Sequence, residues 1–121
     1  EKPRENRAMA HLNPFEFARS IQDHCDRSDL VVSYDTRILD NTIVKIRVAL
    51  SFGAFIDVFY NADSGKCSYA LIEKGIRVFG ADNAFIGWHI HPFDGPDQHK
   101  PTSEISFSEF LHLVEKQFTD K

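Results

Sequence analysis

The chain lacks the marks of several common classes of protein. It has only two cysteines, Cys25 and Cys67, in no CxxC or other ligand spacing. We therefore predict buried or idle thiols in a reducing, cytoplasmic setting, and no disulfide framework or zinc knuckle. No apolar run approaches the roughly 20 residues needed to cross a bilayer, so we expect no membrane association. A glycine-rich phosphate loop and internal repeats are also missing.

The chain also has fewer basic than acidic residues, with 14 lysines and arginines against 18 aspartates and glutamates. The formal net charge of -4 and the pI near 5.8 argue against broad attraction to nucleic acid, so any such contact must be local. The 42% hydrophobic and 26% charged content is that of a globular protein, and eleven phenylalanines predict an aromatic core. We expect a flexible tail over residues 1–12 and one domain over 13–121.

Helix signals lie near both ends of the chain. Asn13 is followed by a proline and, three positions on, by Glu16, which predicts a helix running to about Cys25. Ser106 and Glu109 form a capping box ahead of apolar residues at helical spacing. The sequence therefore predicts an N-terminal and a C-terminal helix.

Runs rich in valine, isoleucine and aromatic residues separate these helices and predict an antiparallel meander. We expect an α+β fold in which the helices pack on a bent sheet of five or six strands. The segment 54–60 is apolar on both sides, so we predict that it is covered on both faces, with a helix across it. The prolines after His91 predict a loop without regular pairing. The candidate strands are 30–38, 42–51, 54–61, 67–73, 76–80 and 86–91.

The most informative segment is Trp88-His89-Ile90-His91-Pro92, which His99 follows after eight residues. Alternation along a strand places His89 and His91 on one face, roughly 7 Å apart, and Trp88 and Ile90 on the other. Two imidazoles at this spacing can share a metal ion, a phosphate or a proton. We therefore place the functional site here.

Three interpretations of the histidines remain open. A divalent metal such as zinc fits His89, His91 and a further ligand. Metal-free acid–base cleavage of RNA fits two imidazoles that exchange protons with the 2′-hydroxyl and the leaving group. A structural role fits edge-strand histidines whose partners are carboxylates or backbone carbonyls. The candidates for the further metal ligand are His99, Asp82, Asp94 and Asp97, and those for a phosphate-binding cation are Arg77, Lys100 and Arg47.

The sequence Asp82-Asn83-Ala84 after the fifth predicted strand is typical of a turn stabilised by its own side chains. Asp82 could alternatively orient a histidine and fix its tautomer. Only proximity in the fold distinguishes the two roles. Trp88 we assign to the core.

Together, the run from Arg77 to Ala84, the Trp88-His89-Ile90-His91-Pro92 segment, Pro101 and the closing helix resemble the TumE-type toxin family. Members share an Arg-x-x-Asp-Asn-Ala-like turn, a nearby histidine cluster and a final helix. This chain departs from the commoner pattern because Phe85-Ile86-Gly87-Trp88 replaces a run of histidines after the turn. The residues that carry over are Asp82, Asn83, His89 and His91.

The resemblance implies a small α+β toxin encoded beside a helix-turn-helix antitoxin. We expect action on RNA, with His89, His91 and Asp82 as catalytic groups and Asn83, Arg77, His99 and Lys100 as binding groups. The alternative is a non-enzymatic module that binds a protein partner, a metal ion or a small molecule. The expected partners are the antitoxin, RNA and a second copy of this chain.

Overall fold

The architecture is a single antiparallel sheet with one helix at each end of the chain. It comes from a computed structural model, which describes residues 12–84 and 87–119. The predicted tail therefore lies almost wholly outside the described residues. In chain order the elements are α1 (Pro14–Asp26), β1 (Val31–Leu39), β2 (Ile43–Leu50), β3 (Phe55–Asn61), β4 (Cys67–Glu73), β5 (Ile76–Asp82), β6 (His89–His91), β7 (Lys100–Pro101) and α2 (Phe107–Thr119).

Both helices begin at the predicted caps. The Asn13 side chain accepts a hydrogen bond from the Glu16 amide, and the Glu16 carboxylate accepts one from the Asn13 amide. Ser106 and Glu109 make the same reciprocal pair ahead of α2. Each box satisfies two amides that the first helical turn leaves without a partner, which is why each helix begins where it does.

The strands follow one another across the sheet in the order β1-β2-β3-β4-β5-β6-β7, and every neighbouring pair is antiparallel. The predicted α+β meander is confirmed, with seven strands among the described residues in place of five or six. The additional strand is β7, in the segment predicted to lack regular pairing. Pro101 can lie there because an edge strand does not need every amide for the ladder.

The two faces of the sheet differ in their surroundings. One face, here called the inner face, carries the buried alternate residues of the central strands, and both helices pack on it. Phe17 of α1 stacks on Tyr60, with ring centroids 4.2 Å apart, and Phe110 of α2 lies 5.2 Å from Tyr69. The inner face therefore holds the aromatic core that the composition predicts.

The opposite, outer face carries the other set of alternate residues. The prediction that β3 is covered on both faces is wrong, because both helices pack on the inner face. Phe55 and Phe59 of β3 stay half-exposed on the outer face. The Arg47 guanidinium lies 4.0 Å from the Phe55 ring centroid, and the Lys66 ammonium lies 5.9 Å from that of Phe59. Long cationic side chains thus partly cover these rings.

Neither helix has the length and apolar content that a membrane-spanning helix requires, and this holds for the described residues.

Candidate functional site

The site is built where β5 ends and β6 runs back beside it. Asp82 is the last residue of β5 and lies opposite His89, while Gly80 lies opposite His91. Because paired residues of neighbouring strands share a face, Asp82 and both histidines project from the outer face. Ile90, between the histidines, packs with Trp88 against the inner core. The predicted division of this segment between the two faces is confirmed.

Asp82 performs both of the roles considered for it. Its Oδ1 accepts a hydrogen bond from the Ala84 amide at 3.0 Å, which closes the turn after β5. The same carboxylate contacts His89 Nε2 through Oδ1 and His91 Nε2 through Oδ2, each at 3.0 Å. One turn residue therefore orients two imidazoles.

His99 reaches the same place by way of the proline-rich loop. Two successive backbone hydrogen bonds, from the Gly95 amide to the Pro92 carbonyl and from the Gln98 amide to the Gly95 carbonyl, fold this loop back on itself. The ring of His99 then lies 5.0 Å from that of His89 and 4.5 Å from that of His91, measured between centroids. The structure thus brings together all three histidines of the predicted segment.

Arg77 joins the cluster from the start of β5, where it is the second residue. Its Nη2 lies 3.4 Å from His91 Nδ1 and donates a hydrogen bond to the Pro96 carbonyl at 3.1 Å. A guanidinium has no acceptor, so His91 Nδ1 must present its lone pair to Arg77. The proton of a neutral His91 ring therefore lies on Nε2, where it can be donated to Asp82. Among the described residues, this is the predicted cation that the fold places beside the histidines.

His89 has a different hydrogen-bond environment. Its Nδ1 faces the Gly87 carbonyl at 3.2 Å, and its Nε2 faces Asp82 Oδ1 at 3.0 Å. Both neighbours are acceptors, whereas a neutral imidazole carries only one proton to donate. A neutral ring with its proton on Nδ1 would point a lone pair at a carboxylate oxygen. The opposite tautomer donates to Asp82 and points its lone pair at the Gly87 carbonyl oxygen. In either neutral form one ring nitrogen therefore faces an oxygen with no proton between them, and a metal ion on Nε2 would relieve this contact.

Burial and charge around Asp82 have opposing effects. Burial raises the pKa of the Asp82 carboxyl, but the hydrogen bonds from His91 and the Ala84 amide, together with the charge of the histidines, outweigh it. The net pKa is below the usual value, so the carboxylate is ionised at neutral pH. His91 is only 3% exposed, whereas the His89 side chain is 13% exposed and His99 is open to solvent. The cluster therefore has a closed side at His91 and an open side at His99.

The three imidazoles can together act as metal ligands. Each of His89, His91 and His99 offers a nitrogen within 4.8 Å of the other two. Nitrogens bound to one tetrahedral zinc ion lie about 3.3 Å apart, as follows from Zn–N bonds of about 2.0 Å. Closing the remaining gap requires side-chain rotations in which His91 exchanges its contact with Asp82 or with Arg77 for the ion.

Two predicted binding residues lie elsewhere. Lys100 is paired with Ile90, whose side chain is on the inner face, so Lys100 projects away from the histidines. Asn83 accepts a hydrogen bond from the Cys67 amide and donates one to the Gly65 carbonyl, both at 2.8 Å. Both polar ends of its amide thus hold the β3–β4 turn against the end of β5.

The remaining predicted site residues also lie outside the histidine cluster. Arg47 forms a two-bond ion pair with Asp57 on the outer face, with nitrogen–oxygen distances of 3.0 and 3.1 Å. Asp94 and Asp97 do not belong to the metal-type cluster that the described part of the chain contains. Trp88 is half-buried and stacks at 6.0 Å on Tyr69, which agrees with its assignment to the core.

Two glycines that sequence reasoning passed over also shape the site. A Cβ at Gly80 would lie 3.2 Å from the Arg77 side chain, so its absence lets that side chain cross the strand, and it would lie 3.5 Å from the His91 ring, in ordinary contact. Gly87, at φ 133°, supplies the carbonyl that faces His89. A glycine inside a strand pattern is a signal of close approach, and Gly80 could have been found from it.

Comparisons of the chain with protein-family models, with curated proteins and with solved structures find no match.

Proposed function

We propose that His89, His91 and His99 bind a divalent transition-metal ion of the zinc class beside Asp82, and that the protein is a toxin-like enzyme that cleaves RNA there. The observation that carries the metal site is the environment of His89, whose two nitrogens both face oxygen acceptors. A metal ion on Nε2 would leave Nδ1 to donate to the Gly87 carbonyl. Histidine ligands usually have such a backbone or carboxylate partner on their second nitrogen.

The composition of the cluster favours the same assignment. Three imidazoles and one carboxylate converge, and neutral imidazole is a preferred ligand of zinc, copper, nickel and iron. Calcium and magnesium prefer sites made of oxygen ligands. The proposal is therefore limited to transition metals.

The open side at His99 is where a substrate would approach. A bound transition-metal ion supplies Lewis acidity and lowers the pKa of a bound water. Asp82, ionised and next to two of the ligands, is placed to accept a proton, and the Arg77 guanidinium offers positive charge for a phosphate. These groups suit hydrolysis of a phosphodiester.

RNA as the substrate, a helix-turn-helix antitoxin as the partner and the cytoplasm as the location rest on the resemblance to TumE-type toxins. That resemblance depends on the Asp82 turn and on His89 and His91. Both features lie at the proposed metal centre.

Metal-free acid–base cleavage is a second candidate, and a specific observation favours it. Arg77, His91 and Asp82 form a hydrogen-bonded chain in which every proton has a place without a metal ion. His89 and the exposed His99 would then exchange protons with the substrate. Their ring centroids are 5.0 Å apart, within reach of one phosphodiester group.

Metal content of the purified protein, measured by mass spectrometry, tests the proposal. We expect about one equivalent of a transition metal in the wild type and its loss in the double variant His89→Ala/His99→Ala. His112→Ala is the matched control, since that exposed histidine lies on α2 outside the cluster, and it should keep the metal. A metal-free wild type that also fails to take up added Zn²⁺ would refute the metal site.

Incubation with RNA then separates the two chemistries. Cleavage that stops on chelation and returns with added Zn²⁺ supports the metal-dependent enzyme, whereas cleavage that survives chelation supports the acid–base alternative. In cells, expression of the wild type should inhibit growth and expression of His89→Ala should not. Metal binding without RNA cleavage or growth inhibition would leave a non-enzymatic metal-binding module.

A further inference from the structure

The two edges of the sheet are very unequal. At one edge β7 has only two residues, whereas at the other β1 extends over nine, from Val31 to Leu39. Within residues 12–84 and 87–119, the only strand that pairs with β1 is β2. A long strand with a free side is a template for another strand, and proteins usually cover or disrupt such edges.

Two backbone hydrogen bonds at the ends of the β2–β3 pair show which residues of β2 face β3. The Ala62 amide donates to the Thr42 carbonyl, and the Leu50 amide donates to the Ala54 carbonyl, each at 2.9 Å. Even-numbered residues of β2 therefore direct their amides and carbonyls towards β3. Because this direction alternates along an antiparallel ladder, the odd-numbered residues of β2 face β1.

The same alternation assigns the free hydrogen-bonding groups of β1. Asp35 and Arg37 are the register partners of odd-numbered residues of β2, so their backbone groups bond to β2. The backbone groups of Tyr34, Thr36 and Ile38 then point out of the sheet. Any strand that adds to this edge must form its hydrogen bonds with these three residues.

The charged side chains of β1 are complementary to those of a second, antiparallel copy of the same strand. A symmetric antiparallel pair that keeps most of the strand paired can be centred on residue 35, 36 or 37. Centring on 35 places two copies of Asp35 opposite each other, and centring on 37 does the same with Arg37. Centring on Thr36 places Asp35 opposite Arg37 twice. Like charges directly opposite are destabilising and unlike charges stabilise, so the charges favour the Thr36 register.

We propose that the protein forms a homodimer through antiparallel pairing of two β1 strands about a two-fold axis at Thr36. In this register Thr36 of one copy lies opposite Thr36 of the other in a hydrogen-bonded pair. This agrees with the backbone, because the amide and carbonyl of Thr36 point out of the sheet. Tyr34 lies opposite Ile38 on the inner side, and the 44% exposed Leu39 lies opposite Ser33 on the outer side. Counting the described strands alone, the joined sheet has fourteen, with the histidine clusters at its two far ends.

Charge reversal tests the register. Asp35→Arg alone and Arg37→Asp alone each create two like-charge pairs, and each should weaken dimerisation at least ten-fold in sedimentation equilibrium. An equimolar mixture of the two variants should form heterodimers, because every facing pair is again of opposite sign. The double variant Asp35→Arg/Arg37→Asp should restore the homodimer. Melting temperatures of all the chains check that each remains folded.

Cross-linking provides a second test. Cα atoms of a hydrogen-bonded antiparallel pair are about 5.5 Å apart, within disulfide range, so Thr36→Cys should give a covalent dimer on mild oxidation. Arg37→Cys, two residue spacings from its own copy, should give little. A wild type that stays monomeric at millimolar concentration would overturn the proposal. So would a dimer that resists both single reversals, or one that the mixture fails to restore. The proposal does not depend on the function proposed for the histidines.

Discussion

The inner and outer faces of this sheet are made by the same strands but follow different rules. On the inner face, buried apolar rings pack against two helices. On the outer face, β5 and β6 hold two histidines, an aspartate and an arginine in a polar arrangement, and the loop after β6 adds His99. The contrast separates the residues that pack the core on the inner face from the polar cluster at Asp82 on the outer face.

The largest expected effect is on the inner face. Phe110→Ala removes a fully buried ring that lies 5.2 Å from Tyr69 and 5.1 Å from Phe79, and it should lower the free energy of unfolding by about 3–5 kcal/mol. Urea unfolding measures this loss. Leu113→Ala on the same helix, 37% exposed, should cost less than about 1 kcal/mol. Similar losses for the two variants would contradict the packing of α2 described above.

The two buried thiols provide a second test of the inner face. Burial raises the pKa of both Cys25 and Cys67 to about 12, so the native chain has almost no thiolate at pH 8. We expect alkylation in the native state to be roughly a thousand-fold slower than in denaturant, as a rise of about three pKa units implies. An added exposed cysteine, Leu113→Cys, should react quickly under native conditions and serves as the control.

The same pKa shifts predict how stability changes in alkali. A thiol whose pKa is higher in the folded state stabilises the fold below the unfolded pKa of about 9 and loses that contribution as the pH rises towards 12. Unfolding free energies measured between pH 8 and 11 should therefore fall. In the alkylation experiment, a native-state rate for Cys25 and Cys67 equal to that of Leu113→Cys would mean that the core is more open than the structure indicates.

At the outer corner, Asp82→Asn should affect metal binding more than folding. The asparagine keeps an oxygen for the Ala84 amide but removes the negative charge that two histidines share. We expect a 10- to 100-fold loss of Zn²⁺ affinity by titration calorimetry. Asp57→Asn, on the same face but paired with Arg47, should bind Zn²⁺ like the wild type. Equal losses in the two variants would show only a general effect of surface charge.

The smallest effect is expected from Gly80→Ala. Its Cβ would lie 3.2 Å from the Tyr69 carbonyl oxygen and from the Arg77 side chain, so the Arg77 side chain must shift by a few tenths of an ångström, whereas the His91 ring at 3.5 Å stays in ordinary contact. We expect a few-fold loss of Zn²⁺ affinity and a fall of a few degrees in melting temperature, measured on the same sample. Unchanged affinity would mean that Zn²⁺ binding does not depend on the position of the Arg77 side chain beside His91.

Where local rules decide the structure, the sequence predicts it well. Asn13 and Glu16 locate α1 because a capping box depends on residues only three positions apart. Alternation gives the faces of β2 and separates His89 and His91 from Ile90. The convergence of Asp82 with the histidines was also within reach, since a turn residue and the strand after it are close neighbours in a meander.

Where contacts between residues distant in the chain decide the structure, the sequence alone did not predict it. The apolar rings of Phe55 and Phe59 suggested a second covered face, but Arg47 and Lys66 lie over them. The position of Lys100 depends on the register of β7, and a shift of one residue reverses the face of every side chain in a strand. No local pattern fixed that register.

The loop between β6 and His99 has one more consequence. His89 and His91 belong to a strand, whereas His99 belongs to a loop that returns to it through two turns. An ion held by all three would act as a cross-link that closes a ring of chain, and closing a ring reduces the freedom of the residues within it. Protease sensitivity between Pro92 and Gln98 would then report whether the ion is bound, without any substrate being known.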